Sequence, residues 1–214
     1  MLLLLIIADD FTGALDTGVQ FAAYGAATRV MVKDQVDFAS CDAQVLVVDT
    51  ETRHLPPEKA YQIVEELTRA ACRAGIRYIY KKTDSALRGN IGAELAAVLQ
   101  PATTVSCRSC RRFPKMGARH GTGSIMLTVV PVTRTPFGVD SVRAGPACTD
   151  HRTAGRADGC TGCQLPPLHE GSPVPEKAGI LVFDATDEQD LVSTGRCLFA
   201  GEAPQIMAGC AGFA

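Results

Sequence analysis

Short apolar runs alternate with amphipathic stretches over the first hundred residues. The runs that predict strands lie at residues 2–8, 28–33, 45–49 and 76–82. Between them, helical spacing of apolar residues predicts helices at about 13–24, 57–74 and 91–99. Strands that alternate with helices favour an α/β fold, which we expect to be a mostly parallel, doubly wound (Rossmann-like) sheet with flanking helices.

The opening run MLLLLIIA has two interpretations. A secretory signal needs basic residues before the apolar run and a small-residue cleavage site after it. Here only Met1 precedes the run, and Asp9 and Asp10 follow at once. A short apolar run that ends in a turn is typical of a strand buried on both faces. We therefore expect the first strand here, in a cytoplasmic protein.

The pattern changes between residues 101 and 178. This segment holds nine of the twelve prolines, nine of the twenty glycines and eight arginines, and no period of 2 or 3.6 runs through it. A structureless connection of that length is unusual in a compact domain. Regular patterning returns over residues 179–214, with an apolar strand at 180–183 and then a helix that Thr186 would cap.

Composition narrows the class of protein. A chain of 214 residues suits one sizeable domain, or one domain with a small appendage. The formal net charge of -2 gives no broad basic field, so we expect no nucleic-acid partner and no anionic membrane surface as partner. No apolar run approaches the ~20 residues that span a bilayer.

Polar clusters follow three of the predicted strands, where ligands bind in open α/β sheets. Their members are, in order, Asp9, Asp10, Thr12 and Gly13; Asp49, Thr50, Glu51, Thr52 and Arg53; Lys81, Lys82, Asp84, Ser85, Arg88, Gly89 and Asn90. Basic side chains neutralise carboxylates, aspartates and Asn90 bond hydroxyls, and helix amino ends add backbone donors. The combination suits a small polyhydroxylated acid, with one carboxylate as a general base.

Each cluster also has a purely structural interpretation. Asp9 and Asp10 would then cap the first helix, since acidic residues favour that end. Arg53 would form a surface ion pair with Glu51. The third cluster would be a solvated loop network made by Lys82, Asp84 and Arg88.

Three blocks carry a family resemblance: ADDFTGALDTGVQFA, DTETRHLPPEKAY and KKTDSALRGNIGAEL. In order and spacing they resemble the amino-terminal half of the four-carbon acid sugar kinases. FPKMG, TPFGVD, LVFDATDEQDL and AGCAGFA are similar to later family blocks. The resemblance implies phosphorylation of a sugar acid of the threonate, erythronate or 3-oxo-tetronate type, with ATP and Mg²⁺. It also implies that this half holds the acid while a following half supplies most of the nucleotide site.

Position and resemblance together give eleven candidate substrate-binding residues, which are Asp9, Asp10, Thr12, Gly13, Arg53, Lys82, Asp84, Ser85, Arg88, Gly89 and Asn90. We expect the basic residues to clamp the anion and the aspartates to bind hydroxyls. The candidate base is Asp9, Asp10 or Asp84, and the sequence does not choose among them. Because the nucleotide-binding half is absent from the 214 residues, we expect this chain alone to be inactive.

The chain also has two Cys-x-x-Cys pairs, Cys107–Cys110 and Cys160–Cys163. Such pairs are typical of a structural zinc site, which is a competing hypothesis for this part of the chain. The 49 residues between the pairs exceed the usual spacing of roughly 15–20, so we predict no metal site. Alternatively, parts of residues 101–178 are translated out of frame, which would leave family-like islands between Pro-, Arg-, Gly- and Cys-rich text. GSIMLTV, for example, can be encoded so that a neighbouring frame reads KHHVDG.

Two other functions stay open. A haloacid-dehalogenase-like phosphatase also has a strand that ends in aspartate, but it needs a second aspartate two positions later. Phe11 and Thr12 occupy those positions here. The other alternative is a sugar-acid binding module without turnover.

Overall fold

The computed structural model describes residues 1–104, 113–114, 119–121, 124–127, 130–131, 162–172, 180–200 and 204–214. Its helices are α1 (Phe11–Ala23), α2 (Pro57–Arg73), α3 (Ile91–Thr104) and α4 (Glu188–Phe199). The strands are β1 (Leu4–Ala8), β2 (Thr28–Val32), β3 (Val45–Asp49), β4 (Tyr78–Lys82), β5 (Phe113–Pro114), β6 (Arg119–Gly121), β7 (Ser124–Leu127), β8 (Val130–Pro131), β9 (Gly162–Leu165), β10 (Ile180–Phe183) and β11 (Ile206–Gly209). Single 3₁₀ turns lie at Lys33–Gln35 and Ala211–Phe213.

The main sheet is parallel throughout, with the strand order β11-β4-β1-β3-β2. The chain starts in the centre with β1, moves outward to β2, returns through β3 and then crosses to β4 on the other side of β1. This crossing makes the carboxyl end of β1 the switch point of the sheet, the usual place for a ligand.

Helices cover both faces of this sheet. Leu5 and Ile7 of β1 belong to the same apolar cluster as residues of α2 and α3, whereas Ile6 and Ala8 pack with Ala14 of α1. These four of the five β1 residues are fully buried. The opening apolar run is therefore a central strand, and the predicted doubly wound α/β fold is confirmed. None of the helices that the structure describes has the length and apolarity that a bilayer crossing requires.

Three predicted helix ends differ from the structure. α1 begins at Phe11, two residues before its predicted start. α3 continues through Pro101 to Thr104 instead of ending at 99. α4 is capped by Asp187, whose carboxylate accepts from the Asp190 backbone N–H, so the prediction that Thr186 caps it was wrong. The Thr186 hydroxyl instead donates to the Asp190 carboxylate. A carboxylate at the cap also interacts favourably with the positive end of the helix dipole.

Short strands appear in the segment that the sequence pattern left without elements. β5 and β9 flank β10 in a parallel sheet, and β6, β7 and β8 form an antiparallel one. Strands of two to four residues are too short to show a period. The zinc hypothesis and the out-of-frame hypothesis both fall on residues largely outside the described ones. The side chains of both cysteine pairs are among those not described.

Candidate functional site

Arg53 lies at the centre of the predicted site and is buried. Its Nε and Nη2 donate to the two Asp9 oxygens at 2.7 and 3.0 Å, and its Nη1 and Nη2 donate to the two Asp10 oxygens at 2.8 and 2.7 Å. Burial acts to lower the pKa of the guanidinium, but the neighbouring carboxylates outweigh it and raise the pKa. The surface pair of Arg53 with Glu51 was a wrong interpretation, because Glu51 is exposed and Arg53 pairs elsewhere.

The two aspartates after β1 have different additional roles. Asp10 is the N-cap of α1, and its Oδ1 accepts from the Gly13 N–H at 3.1 Å. Asp9 makes no such cap and is almost fully buried, whereas the Asp10 side chain keeps 26% of its surface exposed. The capping interpretation therefore holds for Asp10, which reaches solvent while its charge is balanced by Arg53.

The loop after β4 is organised around Asp84. Its carboxylate accepts from Arg88 Nε and Nη2 at 3.0 and 2.8 Å, and from the backbone N–H groups of Ala86 and Arg88. Burial acts to raise the pKa of Asp84, but these bonds and the charges of Arg53 and Arg88 outweigh it and lower the pKa. Asp84 is 6% exposed, so the solvated-network interpretation does not describe it.

Gly89 lets this loop approach the central carboxylates. Its φ is +89°, and a Cβ built there would lie 3.2 Å from Asp9 Oδ2. A side chain would therefore be strained by the backbone and would crowd the Asp9–Arg53 pair. Because glycine has no side chain, the loop can lie close to the Asp9–Arg53 pair at this position.

Lys82 stands apart from the two arginines. It is 6% exposed, and its ammonium donates to the Thr83 carbonyl at 2.9 Å. The described residues include no carboxylate that pairs with it. A Cβ on Gly13 would lie 2.9 Å from Lys82 Nζ and 2.5 Å from Asp10 Oδ1. The missing Cβ leaves room between a cation and a carboxylate at the start of α1.

The remaining candidates lie at the border of this arrangement. Asn90 Nδ2 donates to the Thr52 and Leu55 carbonyls at 2.8 and 2.9 Å, so it holds the turn that carries Arg53. Thr12 and Ser85 are exposed. The structure thus brings the candidates after β1, β3 and β4 together at one edge of the sheet. The hydrogen bonds of Asn90 fix the turn that carries Arg53.

A buried polar network under the site was not predicted. Glu94 of α3 pairs with Lys81 Nζ at 2.9 Å and accepts from the Thr52 hydroxyl, while Thr52 bonds Thr50 at 2.8 Å. The Lys81 and Glu94 side chains are 0% and 2% exposed. The sequence feature that could have indicated this network is Glu94, the single carboxylate within the apolar helix sequence IGAELAAVL.

The chain's last strand also reaches the site. The Thr83 N–H donates to the Gly209 carbonyl at 2.7 Å, and the Tyr80 hydroxyl donates to the Cys210 carbonyl at 2.8 Å. Burial raises the pKa of the Cys210 thiol, while the nearby Gly212 N–H and Lys82 charge lower it in part. The loop that follows β11 thereby borders Lys82.

Asp49, at the end of β3, is the remaining buried acid. Its Oδ1 accepts from the Glu51 N–H at 3.0 Å, and it is 1% exposed. Burial, together with the charges of nearby carboxylates that include Asp10, raises the pKa of Asp49. The site therefore holds more carboxylates than cations and would favour a ligand that donates hydrogen bonds.

Residues 4–214 match the protein family described as the sugar-binding N-terminal domain. The chain belongs to this family. A D-threonate kinase from Salmonella typhimurium (strain LT2) is 31% identical to this chain over 227 aligned positions, which cover 99% of the chain and 52% of that kinase. A D-erythronate kinase from Heliobacterium modesticaldum is 33% identical over 138 positions, which cover 63% of the chain and 31% of that kinase.

These relatives confirm the resemblance to the four-carbon acid sugar kinases. The chain spans about half the length of the curated threonate kinases that it matches. A crystal structure of a domain from Bordetella bronchiseptica superposes on it with a TM-score of 0.83 at 27% identity, covering 99% of this chain and 54% of that one. That structure is a domain-swapped dimer with bound citrate.

Proposed function

We propose that this chain is the substrate-binding half of an ATP-dependent kinase for a four-carbon sugar acid. The observation that supports it most is the convergence of Arg53, two aspartates and Lys82 at the switch point of the sheet. The curated relatives, named as threonate and erythronate kinases, supply the class of substrate. Citrate in the Bordetella relative is itself a hydroxy acid.

The three candidate bases differ in their hydrogen-bond partners and in their exposure to solvent. Asp84 is held by Arg88 with a lowered pKa, which makes it a weak proton acceptor. Asp9 is enclosed by Arg53 and lies almost entirely out of solvent. Asp10 is the aspartate that an incoming hydroxyl can reach, so we assign it the role of accepting the hydroxyl proton.

ATP with Mg²⁺ would supply the phosphoryl group and neutralise charge on it during transfer. The described residues contain no group of three or more side chains suited to hold a metal ion. The resemblance to these kinases places most of the nucleotide site in the half of the curated relatives that this chain does not match. Its own residues bind the acid, orient the hydroxyl and accept its proton.

Binding without turnover is the second candidate for the chain by itself, because it spans about half of its curated relatives. Calorimetry of the 214-residue chain with D-threonate and D-erythronate tests the binding common to both candidates. We expect saturable binding of at least one acid and an acid-induced rise in melting temperature. Absence of binding to both acids would contradict the proposal.

Phosphorus NMR with ATP, Mg²⁺ and the bound acid separates the candidates. Phosphorylated acid would show that this chain turns over by itself, and unchanged ATP would assign it to binding alone. Release of phosphate from a phosphorylated tetronate would instead support the phosphatase alternative. A sample without sugar acid controls for hydrolysis of ATP by contaminants.

A further inference from the structure

We propose that an apolar cavity between α1 and α4 is the docking site for an amphipathic helix from the half of the full-length relatives that this chain does not match. The cavity is separate from the acid site. Its floor includes Leu4 and Tyr78, the first residues of β1 and β4, whereas the acid site lies at the carboxyl ends of those strands. The proposal therefore does not depend on which acid binds.

The walls of the cavity are mainly aromatic and aliphatic, and its volume is about 590 Å³. The floor is formed by strand residues that include Tyr80 and Met207, and Phe21 of α1 lies on one side. Contact of such walls with water is unfavourable, and covering them with apolar groups of a partner lowers the free energy. The chemistry of the walls therefore suits an apolar occupant.

One face of α4 forms the other side of the cavity. The α4 residues at positions i, i+3, i+4 and i+7 that line it are Val192, Gly195, Arg196 and Phe199. Val192 and Phe199 are 46% and 50% exposed, although α4 buries another face in the core. Gly195 has no side chain, which leaves space for a second backbone to lie close to α4. An apolar face with this spacing is the kind that packs against another helix.

The position of the chain's last residues points to the occupant. Gly212, Phe213 and Ala214 line the same cavity. The family match describes this region as an N-terminal domain, so the unmatched half of the relatives lies carboxyl-terminal to it. A relative that shares this fold, such as the Bordetella structure, therefore continues from the edge of the cavity. A helix near the start of that half needs no long connection to reach it.

The walls also define the chemistry of the expected helix. It needs large apolar side chains at i, i+3, i+4 and i+7 to fill the space along α4. Arg196 is exposed, and none of the described carboxylates forms an ion pair with it. An acidic residue beside the apolar face of the helix would complement this arginine.

A fluorescently labelled peptide tests the proposal on the 214-residue chain. The peptide has the sequence that follows the matched part of the Salmonella D-threonate kinase, with about 20 residues for a helix of about 30 Å. We expect it to bind, as measured by fluorescence anisotropy, and to gain helicity in circular dichroism. Val192→Asp and Phe199→Asp should each weaken binding at least about tenfold, because an unpaired carboxylate would be buried in an apolar contact.

Gln189→Asp is the matched control, because it adds the same charge at an exposed position of α4 outside the cavity. It should leave the peptide affinity within about twofold. The three substituted residues are exposed, so each variant should keep the circular dichroism spectrum of the unaltered chain. A peptide of the same composition, with its apolar residues moved out of helical spacing, tests the same requirement without any variant and should bind at least about tenfold more weakly.

Three results would overturn the proposal. The first is that the unaltered chain does not bind the peptide, and the second is that the rearranged peptide or the two cavity variants bind equally well. The third is a concentration-dependent dimer of the chain that Val192→Asp dissociates, since a second copy would then occupy the cavity. Calorimetry with sugar acids examines the other edge of the sheet, so its outcome and the outcome of this test are independent.

Discussion

Arg53 uses both edges of its guanidinium on carboxylates, and a lysine there would offer one compact ammonium instead. We expect Arg53→Lys to lower the free energy of unfolding by about 2 kcal/mol, because several charge-assisted bonds to buried carboxylates are lost. Urea denaturation followed by circular dichroism measures this change. Arg73→Lys, on the exposed face of α2, should shift it by less than about 0.5 kcal/mol. Equal effects of the two variants would show that the fork geometry is unimportant.

Asp49 gives a pH-dependent prediction. Its pKa is raised in the folded chain by burial and by neighbouring carboxylates, so ionisation of Asp49 opposes folding. The stability linked to its protonated form is present below the unfolded pKa and is lost as pH rises through the folded pKa. Asp49→Asn should therefore stabilise the chain at pH 7, and the gain should disappear as the pH falls toward the unfolded pKa of about 3.9.

Denaturant unfolding of Asp49→Asn at a series of pH values measures this difference. Asp16→Asn, which alters an exposed acid of α1, is the control and should show a flat difference over the same range. A gain that grows toward low pH would have the opposite sign to the one predicted for a raised pKa.

Strand order explains which candidate residues lie together, whereas the roles expected for them stay predictions. Asp9, Arg53 and Lys82 follow neighbouring strand ends, and parallel pairing puts those ends at one edge. Which cation remains available for a ligand depends on side-chain geometry. The expectation that Arg53 contacts the substrate stays a prediction, and in the structure its guanidinium donates to Asp9 and Asp10.

At the scale of elements, the Lys81–Glu94 pair joins β4 to α3 beneath the site. Lys81→Met would leave the Glu94 carboxylate buried without its cation, at a cost of about 3–5 kcal/mol. The double variant Lys81→Met/Glu94→Leu removes both charges, and we expect it to recover most of that loss. Urea denaturation of the two single variants and the double variant measures the coupling.

The exposed pair of Arg29 with Asp42 provides the comparison. Its side chains are 46% and 79% exposed, so Arg29→Met should cost less than about 1 kcal/mol. A double variant at Lys81 and Glu94 that is no more stable than Lys81→Met would show that the pair is held for a reason other than charge balance.

Elements with a strong local period were predictable, and those without one were not. The central strands and α2 show their burial in the pattern of apolar residues. β5 has two residues and β6 has three, so neither is long enough for an alternation of apolar and polar residues to show in the sequence. The cap of α4 was displaced by one residue because Thr186 and Asp187 are both good capping residues.

For the whole molecule, the least predictable feature is the return of the chain's last residues to the sheet. β11 pairs with β4 in parallel register, with Ile206 opposite Ile79, although more than a hundred residues separate them. No local pattern encodes which strand an apolar run such as IMAG will join. The loop after β11 then completes the surroundings of Lys82, a consequence of topology that motif spacing does not contain.

This pairing predicts that the end of the chain is required for the fold and for acid binding. A chain that ends at Gln205 would uncover the edge of β4 and remove the acceptors of the Thr83 N–H and the Tyr80 hydroxyl. It would also lose Ile206, which is 1% exposed in the core. Because Tyr80 and Thr83 are buried, leaving their donors unpaired costs folding free energy in addition to the loss of apolar burial.

We expect the chain ending at Gln205 to unfold without a sharp transition, to bind a hydrophobic dye and to bind no threonate. The matched control ends at Phe213 and omits only the exposed Ala214, so its unfolding midpoint should equal that of the full chain. Circular dichroism, dye fluorescence and calorimetry on the two shortened chains make the comparison. A cooperative transition with an unchanged denaturant slope in the chain ending at Gln205 would show that the other four strands fold independently of β11.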